Sequence, residues 1–572
     1  MGIGDRLQTS AGEITSRYRE TLGPLIAKVC VIYALVFALL NFGIVLNKDV
    51  MPFALGLSGR IHAVAASEKS VAFLLGVIAL FLAYELWLKK VAALYLLCGV
   101  LALQSLIDVW KRYGIVSGGI GFFIALIFLS SLPEFPATPD KKSLDRLLVF
   151  VPGFLIVLST YSVGGLYLLR ARLGLDSHPI HLLRSAILLG LGRVGHDVGG
   201  LVSVFRTSLV AVSIFGAGYA LVTLFKPHAA LFKEDVLLRE RAAEIVRKYG
   251  SDSLAYFTLR DGKSLYFYGE DTFIAYRVTS GVAIMSGDPV GPRSSIKEAI
   301  SEFEEYCTRK GWRLASYSAS EGKLSEYRDA GLKYFDLGEE PVIELGRFSL
   351  NGRKMRKVRQ SVRKLERLGY SVDFFFNSGI PPHLRNELRR ISQEWRGEKP
   401  EAGFAMGLGR LLAYEDPDCL LSLAYDDAMN PVGFLYLVPM YAKAGYSLDI
   451  TRTKWGAPAA LSDFLIAKTA LFLRDKGYQK MSLHFLAFSQ HYRPDREERG
   501  SAFLALIAKL MDRFIPTTSL YRFDRKFFPT MKKRYVVYQS ILDIPRVAYA
   551  GFAVESVWNL AKRGVRKANK SE

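Results

Sequence analysis

The chain is 572 residues long, 50% of them hydrophobic, and carries 75 Lys and Arg against 54 Asp and Glu, a net charge of +21. That length excludes a single ordinary core, and the charge predicts an anionic partner, lipid or nucleic acid, without choosing between them. Cys30, Cys98, Cys307 and Cys419 stand far apart, with no CxxC pair and no histidine cluster beside them, which argues against a disulfide framework and against a structural zinc site.

At the start, MGIGDRLQTSAGEITSRYRE is too polar and too long to be a cleaved signal peptide. Arg6 stands where an N-myristoylation site needs Ser or Thr. Runs able to cross a hydrocarbon core of ~30 Å, which takes about 20 residues, follow at 24–46, 66–88, 91–110, 115–132, 147–169 and 208–226. VCVIYALVFALLNFGIVL, in the first, has no polar face, which argues against a helix buried in a soluble core. Six membrane helices are therefore expected. Lys89, Lys90, Lys141, Lys142 and Arg146 in the second and fourth loops place both ends of such a bundle in the cytoplasm, whereas Arg170, Arg172, Arg184, Arg193 and Arg206 in the fifth loop oppose that topology. Within that loop, SAILLGLGRVGHDVGGLVSV reads either as a re-entrant or interfacial piece, with His196 and Asp197 marking a lipid path, or as a helix packed on the bundle.

From about residue 235 the pattern becomes that of a soluble α/β protein. Helical periodicity in DVLLRERAAEIVRKYG gives way to strand candidates SLYFYGEDTFIAYRV and GVAIMSGDPVG, a helix IKEAISEFEEYCTRKG and a strand RLASYSAS. The order recurs: DCLLSLAYD, NPVGFLYLVPMY and GYSLDITRT read as strands, LSDFLIAKTALFLRDKG as an amphipathic helix, KMSLHFLAF as a strand. Two similar α/β units in tandem are predicted.

Between them NGRKMRKVRQSVRKLERLGY carries Arg353, Lys354, Arg356, Lys357, Arg359, Arg363, Lys364 and Arg367 against one acid, Glu366. On a helix these cations cover most of the circumference. A solvated face ordinarily mixes signs, so the excess points to nucleic acid, to a lipid surface, or to a plain basic surface helix. GDPVGP joins a strand to a helix: Gly287 and Gly291 permit backbone angles that other residues avoid, Pro289 fixes the turn, Ser294 or Ser295 offers a helix cap, and Asp288 helps shape a cavity floor. GYSLDITRTKWGAPAALSDFLIA places Asp449 and Arg452 at the end of a strand, ahead of a helix, the build of an active-site loop, with Tyr446 as a substrate-binding candidate. His484 and Ser489 invite a hydrolase reading, but no GxSxG elbow accompanies them.

Five stretches in order resemble the bacterial aminoacyl-phosphatidylglycerol synthases, the multiple peptide resistance factor proteins. They are GDPVG at 287–291, FSLNGRKMRKVRQSVRKLERLGYS at 348–371, NPVGFLYLVP at 430–439, SLDITRTKWGAPAALSDFL at 447–465 and LYRFDRKFFPTMKKRYVVY at 520–538, and the likeness covers roughly residues 235–545. The resemblance implies a tandem GNAT-like acyltransferase fold, related to the peptidoglycan Fem transferases, that moves an aminoacyl group from aminoacyl-tRNA to phosphatidylglycerol at the membrane. Carried over by motif position, its Asp-x-x-Arg falls on Asp449 and Arg452 and its late lysine on Lys526. Gly287, Asp288, Gly291, Arg353, Lys354, Arg356 and Lys357 are then substrate-binding candidates. Where the family usually continues Ala-Pro-Asn-Gly, this chain has Ala457, Pro458, Ala459 and Ala460. Full-length relatives carry further N-terminal helices that form a flippase, so this chain resembles the synthase with a shortened membrane region.

The expected organisation is a helical transmembrane bundle at 1–230, a first GNAT-like domain with the basic linker at 235–375, a second, catalytic one at 376–545 and a basic tail at 546–572. The aminoacyl ester is already activated, so neither cofactor nor metal is expected. The expected setting is the bacterial inner membrane with the catalytic domain cytoplasmic. Lysyl transfer is the first reading, alanyl, ornithyl or mixed transfer by the same mechanism also fits, and self-association is left open. Two rivals stand outside this family. A CoA-dependent acyltransferase needs a Gly-rich pyrophosphate loop at a helix start, where APAALSD is poor in glycine. A basic lipid transporter or scaffold leaves the tandem α/β unit without a role.

Overall fold

The structure, a computed structural model, describes residues 21–46, 66–110, 115–173, 175, 178–190, 200–228, 236–397, 407, 410–413, 415–442, 444–483, 485–487, 517–551 and 553–554. His196, Asp197, His484, Ser489, the first twenty residues and residues 555–572 of the tail lie outside them. The chain divides into two compact units, residues 1–229 with 308–311 and residues 230–307 with 312–572.

The first unit contains α1 (Gly23–Leu46), α2 (Ala66–Trp87), α3 (Val91–Trp110), α4 (Ile115–Ser130), α5 (Lys141–Leu173), α6 (Pro179–Gly190) and α7 (Leu201–Leu224). Every predicted apolar run lies largely within a helix, and α6 is a further helix inside the fifth loop. Among the described residues, Gly23–Gly43, Lys141–Ala171 and Leu201–Leu224 are long and apolar enough to cross a membrane, whereas Phe73–Trp87, Val91–Leu103 and Gly119–Ser130 are shorter. The reason is visible in α4: its 16 residues rise only ~24 Å at ~1.5 Å each.

This unit buries small residues such as Ala34, Ala83, Ala93, Cys30 and Ser131 beside large ones such as Leu94 and Phe128, while Leu148, Val149, Leu168 and Phe215 are between 73% and 82% exposed. Small residues let helix backbones approach, and the large apolar side chains outside need lipid around them. Ser105 bonds back to the Leu101 carbonyl at 2.8 Å, so its hydroxyl is satisfied inside the bundle. Lys90 is no loop charge at all: it is buried, 2.6 Å from Glu85, and donates to the Phe225 carbonyl. The charge of the second loop therefore rests on exposed Lys89.

The second unit contains the helices α8 (Val236–Tyr249), α9 (Ile296–Arg309), α10 (Leu324–Asp329), α11 (Arg356–Arg367), α12 (Pro382–Arg396), α13 (Leu461–Asp475) and α14 (Thr517–Asp524). Its strands are β1 (Ser264–Tyr268), β2 (Thr272–Thr279), β3 (Val282–Ser286), β4 (Arg313–Ser320), β5 (Lys333–Glu344), β6 (Ser371–Phe376), β7 (Leu420–Tyr425), β8 (Pro431–Met440), β9 (Gly445–Thr453), β10 (Lys480–Ser482), β11 (Leu486–Ala487) and β12 (Thr530–Tyr538). They form one mixed sheet in the order β1-β2-β3-β4-β12-β5-β10-β9-β8-β7-β6, with β11 beside β5.

Two halves of that sheet repeat one plan. In the first, β1, β2 and β3 are antiparallel neighbours, and β3 crosses over through α9 to run parallel to β4. In the second, β7, β8 and β9 are antiparallel neighbours, and β9 crosses over through α13 to run parallel to β10. A parallel pair requires such a crossover, and its carboxyl end is where ligands bind in open α/β sheets. β12 joins the halves by pairing with β4 on one edge and β5 on the other. Gly445 fixes where β9 begins, because a Cβ there would lie 2.6 Å from the Lys480 carbonyl and 2.5 Å from Met440.

The basic segment is amphipathic instead of cationic all round. Arg353 and Lys354 precede α11, and Val358, Val362 and Leu365 turn inward at helical spacing, burying a stripe against α13 and the sheet that contributes ~1.5–3 kcal/mol per side chain. Arg356, Lys357, Arg363, Lys364 and Arg367 are left on the exposed face.

Candidate active site

β9 pairs with β10 only from Gly445 to Ser447, opposite Lys480 to Ser482, and with β8 along its whole length. Beyond Ser447 the two parallel strands part, and Asp449 lies two residues past that point. On the β8 side Leu437 pairs with Leu448 and Tyr436 with Ile450, so Asp449 is an extra residue with no opposite number, a β-bulge. The bulge switches the strand's parity. Tyr446 and Leu448 pack in the core beneath α11 and α13, whereas Ile450 packs in the core beneath α8 and α12. Bulges serve to re-aim side chains and recur beside active sites. Asp449 lies near Cys419 and Tyr436. Burial above all, then the Asp416 and Asp449 carboxylates, pushes the Cys419 thiol well above its ordinary value. Burial likewise raises the Tyr436 hydroxyl.

Arg452 lays its guanidinium 4.2 Å from the centroid of the Trp395 ring on α12 and donates to the Thr451 carbonyl at 2.9 Å. The guanidinium is thus positioned by α12 and by its own strand. Tyr446 is buried, donates its hydroxyl to the Asp418 carbonyl at 3.2 Å and meets Tyr478 edge-on.

Lys526 follows α14 on a short 3-10 turn. Its Nζ lies 3.2 Å from Asp463 Oδ1 and 4.7 Å from the Phe523 ring. Asp463, in the first turn of α13, also accepts from Ser361 of α11 at 3.1 Å. Lys354 reaches the Phe528 ring at 5.8 Å, so the basic segment, the start of α13 and the Lys526 turn form one neighbourhood. Arg353, Arg356 and Lys357 are exposed beside it.

Gly287, Asp288 and Gly291 are gathered elsewhere, in the first half. Gly287 holds φ +75°, and Gly291 packs so closely on Thr272 that a Cβ would meet its Oγ1 at 2.2 Å. Ser295 turns its hydroxyl back to the Pro292 carbonyl and to Thr272, tying the loop to β2. Asp288 and Gly291 line a cavity of about 580 Å³. The Asp288 carboxylate accepts from the Ser320 amide at 3.1 Å and hydroxyl at 2.5 Å and from the Tyr327 hydroxyl at 3.0 Å. Burial first, then neighbouring Asp252, pushes it up to about 6.

Several residues of this region escaped the reading of the sequence. Buried Arg534 is held by Glu340 at 2.5 Å, Asp252 at 2.9 Å and the Ser253 hydroxyl at 2.7 Å. Asp463 and Trp395 partner the two predicted cations. Asp524 is buried with neither carboxylate oxygen hydrogen-bonded among the described residues. Arg534 and Asp524 stand inside the late motif LYRFDRKFFPTMKKRYVVY, the only local signal they gave.

The duplicated mixed sheet, each half built around a parallel pair and its crossover helix, defines a tandem GNAT-like α/β domain. The family model described as phosphatidylglycerol lysyltransferase, C-terminal, matches residues 243–538, and the chain belongs to that family. The chain is 31% identical over 353 residues to the lysylphosphatidylglycerol biosynthesis bifunctional protein LysX of Rhodococcus opacus, covering 60% of this chain and 31% of that protein. The LysX of Mycobacterium avium is 32% identical over 344 residues, 59% of this chain and 29% of its own length. The chain thus spans under a third of these curated relatives. The solved structure of L-PGS from Bacillus licheniformis shares 23% identity over 57% of this chain and 96% of its own, with a TM-score of 0.49.

Proposed function

We propose that the chain transfers a lysyl group from lysyl-tRNA to a glycerol hydroxyl of phosphatidylglycerol at the cytoplasmic face of the bacterial inner membrane. The observation that carries this reading is the position of Asp449, the bulge residue just past the parting of β9 and β10, inside the region matched by the family. The lipid hydroxyl oxygen attacks the ester carbonyl carbon, the bond from that carbon to the ribose oxygen breaks, and the hydroxyl proton passes through Asp449 to the departing ribose oxygen. Arg452 and Lys526 offset the charge of the tetrahedral intermediate or hold a phosphate. Lys526 suits this role because its link to Asp463 is long, 3.2 Å, and its side chain is 38% exposed, free to turn to a substrate. On this reading residues 1–230 anchor the enzyme through several membrane passes, 235–375 and 376–545 are its two GNAT-like domains, and 546–572 a basic tail. Mass spectrometry of lipids from cells expressing the chain tests it: phosphatidylglycerol heavier by one lysyl residue is expected, and an unchanged lipid profile would sink the proposal.

The exposed cations beside Lys526 take the tRNA backbone in this scheme. Changing Arg353, Lys354, Arg356 and Lys357 together to Gln is expected to weaken tRNA binding for all sequences alike. The slope of log affinity against log salt should flatten by roughly 0.7–0.9 for each phosphate no longer neutralised. Equal affinity and slope in wild type and variant would give this face to the lipid surface instead.

A further inference from the structure

β12 is followed by a 3-10 turn, Ile541–Asp543, and by residues 544–554, helical wherever they are described. This C-terminal helix has two faces. Val547, Ala550 and Val554, at i, i+3 and i+7, are buried against Val282 and Ile284 of β3, Ala315 of β4 and Val536 of β12. Three polar ties hold that face down: Arg313 clasps the Asp543 carboxylate at 2.7 Å, Tyr317 donates to the Val547 carbonyl at 2.8 Å, and Arg546 donates to the Ser280 carbonyl at 2.9 Å. The direction of the opposite face is thereby fixed.

That opposite face is apolar. Ile541, Leu542 and Tyr549 are between 61% and 70% exposed, and exposed Pro545 stands between them, so the row repeats every four residues from 541 to 549. A helix face turned to water ordinarily carries charge. Asp543 is the only acid from Ser540 to Val554, and it is buried and bound by Arg313, so this segment puts no free carboxylate on the row. The chain then continues through Lys562, Arg563, Arg566, Lys567 and Lys570, opposed only by Glu555 and Glu572. Apolar side chains followed by an excess of cations are what an anionic lipid interface binds. Such an interface is always at hand, because three helices among the described residues of the same chain are long and apolar enough to cross a membrane, and tethering raises the effective concentration of lipid at the row. A second copy docked here would bring two basic tails together, and a nucleic acid would meet aliphatic side chains where it needs a basic groove.

We propose that Ile541, Leu542, Pro545 and Tyr549 form a docking surface that rests in the headgroup region of an anionic leaflet, held there by the cations of the tail. It uses no residue assigned to aminoacyl transfer and stands whether or not the chain performs that reaction. The test uses the full chain in nanodiscs of phosphatidylcholine, alone or mixed with phosphatidylserine, an anionic lipid other than the proposed acceptor. A nitroxide is attached at Leu542→Cys or, as a control, at Lys297→Cys on the exposed side of α9. EPR then reads the ratio of its collisions with oxygen, which concentrates in lipid, to those with a water-soluble nickel chelate. The four native cysteines are buried, and the unsubstituted chain measures any label they take up. Phosphatidylserine is expected to raise the ratio about threefold or more at 542 and to leave it unchanged at 297. Changing Lys562, Arg563, Arg566 and Lys567 together to Gln should remove most of that rise, and high salt, which leaves the sequence intact, should do the same. No rise at 542 overturns the proposal. An equal rise at 297 also overturns it, since the unit would then meet lipid without a preferred face, and a rise that survives both salt and the neutralised tail rejects the anionic leaflet. Spin–spin broadening between labels on two chains would give the face to a second copy and reject lipid.

Discussion

Asp449→Asn is expected to lower the turnover of lipid aminoacylation about 10²- to 10⁴-fold, the range for loss of a positioned general base, with little change in the substrate concentration giving half-maximal rate. Asn matches Asp in shape and keeps a polar group in the bulge, so the β8–β9 register and the melting temperature should hold, and the lost rate then reports chemistry instead of folding. Lys526→Ala should cost about 10²- to 10³-fold if its ammonium meets charge that develops only in the transition state. It removes an ion pair with Asp463 that is 38% exposed on the lysine side, and such pairs contribute only ~1 kcal/mol or less to stability. The assay uses the full chain in nanodiscs containing phosphatidylglycerol, with aminoacyl-tRNA as donor. Near-normal turnover of folded Asp449→Asn would remove Asp449 from the chemistry. A rise in half-saturating phosphatidylglycerol at unchanged turnover would make it a binding residue.

What could be read from the sequence was set by the range of the interaction involved. The strand of GYSLDITRT, the helix after it and the strand RLASYSAS appear over the residues expected because period-2 and period-3.6 apolar patterns are local. The change from apolar runs to mixed charge near Phe225 is likewise a property of neighbouring residues. β5 was missed because Gly338, Glu339, Glu340 and Pro341 interrupt its apolar pattern; its place between β12 and β10 is a property of the finished sheet. The bulge at Asp449 is a register fact between two strands, and no residue of β9 announces it. Arg534 and Glu340 are 194 residues apart, and Lys526 and Asp463 are 63 apart, so no spacing rule could pair them. The basic segment misled for the opposite reason: its cations are obvious, while the stripe of Val358, Val362 and Leu365 that fixes its orientation is thin.

Stability of the chain is expected to fall as pH rises from about 4 to about 8, with Asp524 as a principal cause. Burial alone pushes its carboxyl from the ordinary 3.8 up to about 8, and neither of its oxygens finds a hydrogen-bond donor among the described residues to offset the desolvation of the charge. The unfolded chain releases this proton near pH 4 and the folded chain holds it until about pH 8. Between those limits the folded state binds more protons, so its stability decreases with pH and levels off above the folded value. With about 1.4 kcal/mol per pKa unit, the full effect is on the order of a few kcal/mol, large against the usual margin of stability. Asp524→Asn replaces a neutral carboxyl with a neutral amide of similar shape, so at pH 5 it should change little. At pH 8.5, where wild type must ionise a buried group or pull its helix end open, the variant should be the more stable by most of that difference. Urea midpoints of the full chain in detergent at pH 5 and pH 8.5 decide the matter: identical pH dependence in wild type and Asp524→Asn would show that Asp524 is ionised and paired in the folded protein, and that α14 ends in a different arrangement from the buried, unpaired one.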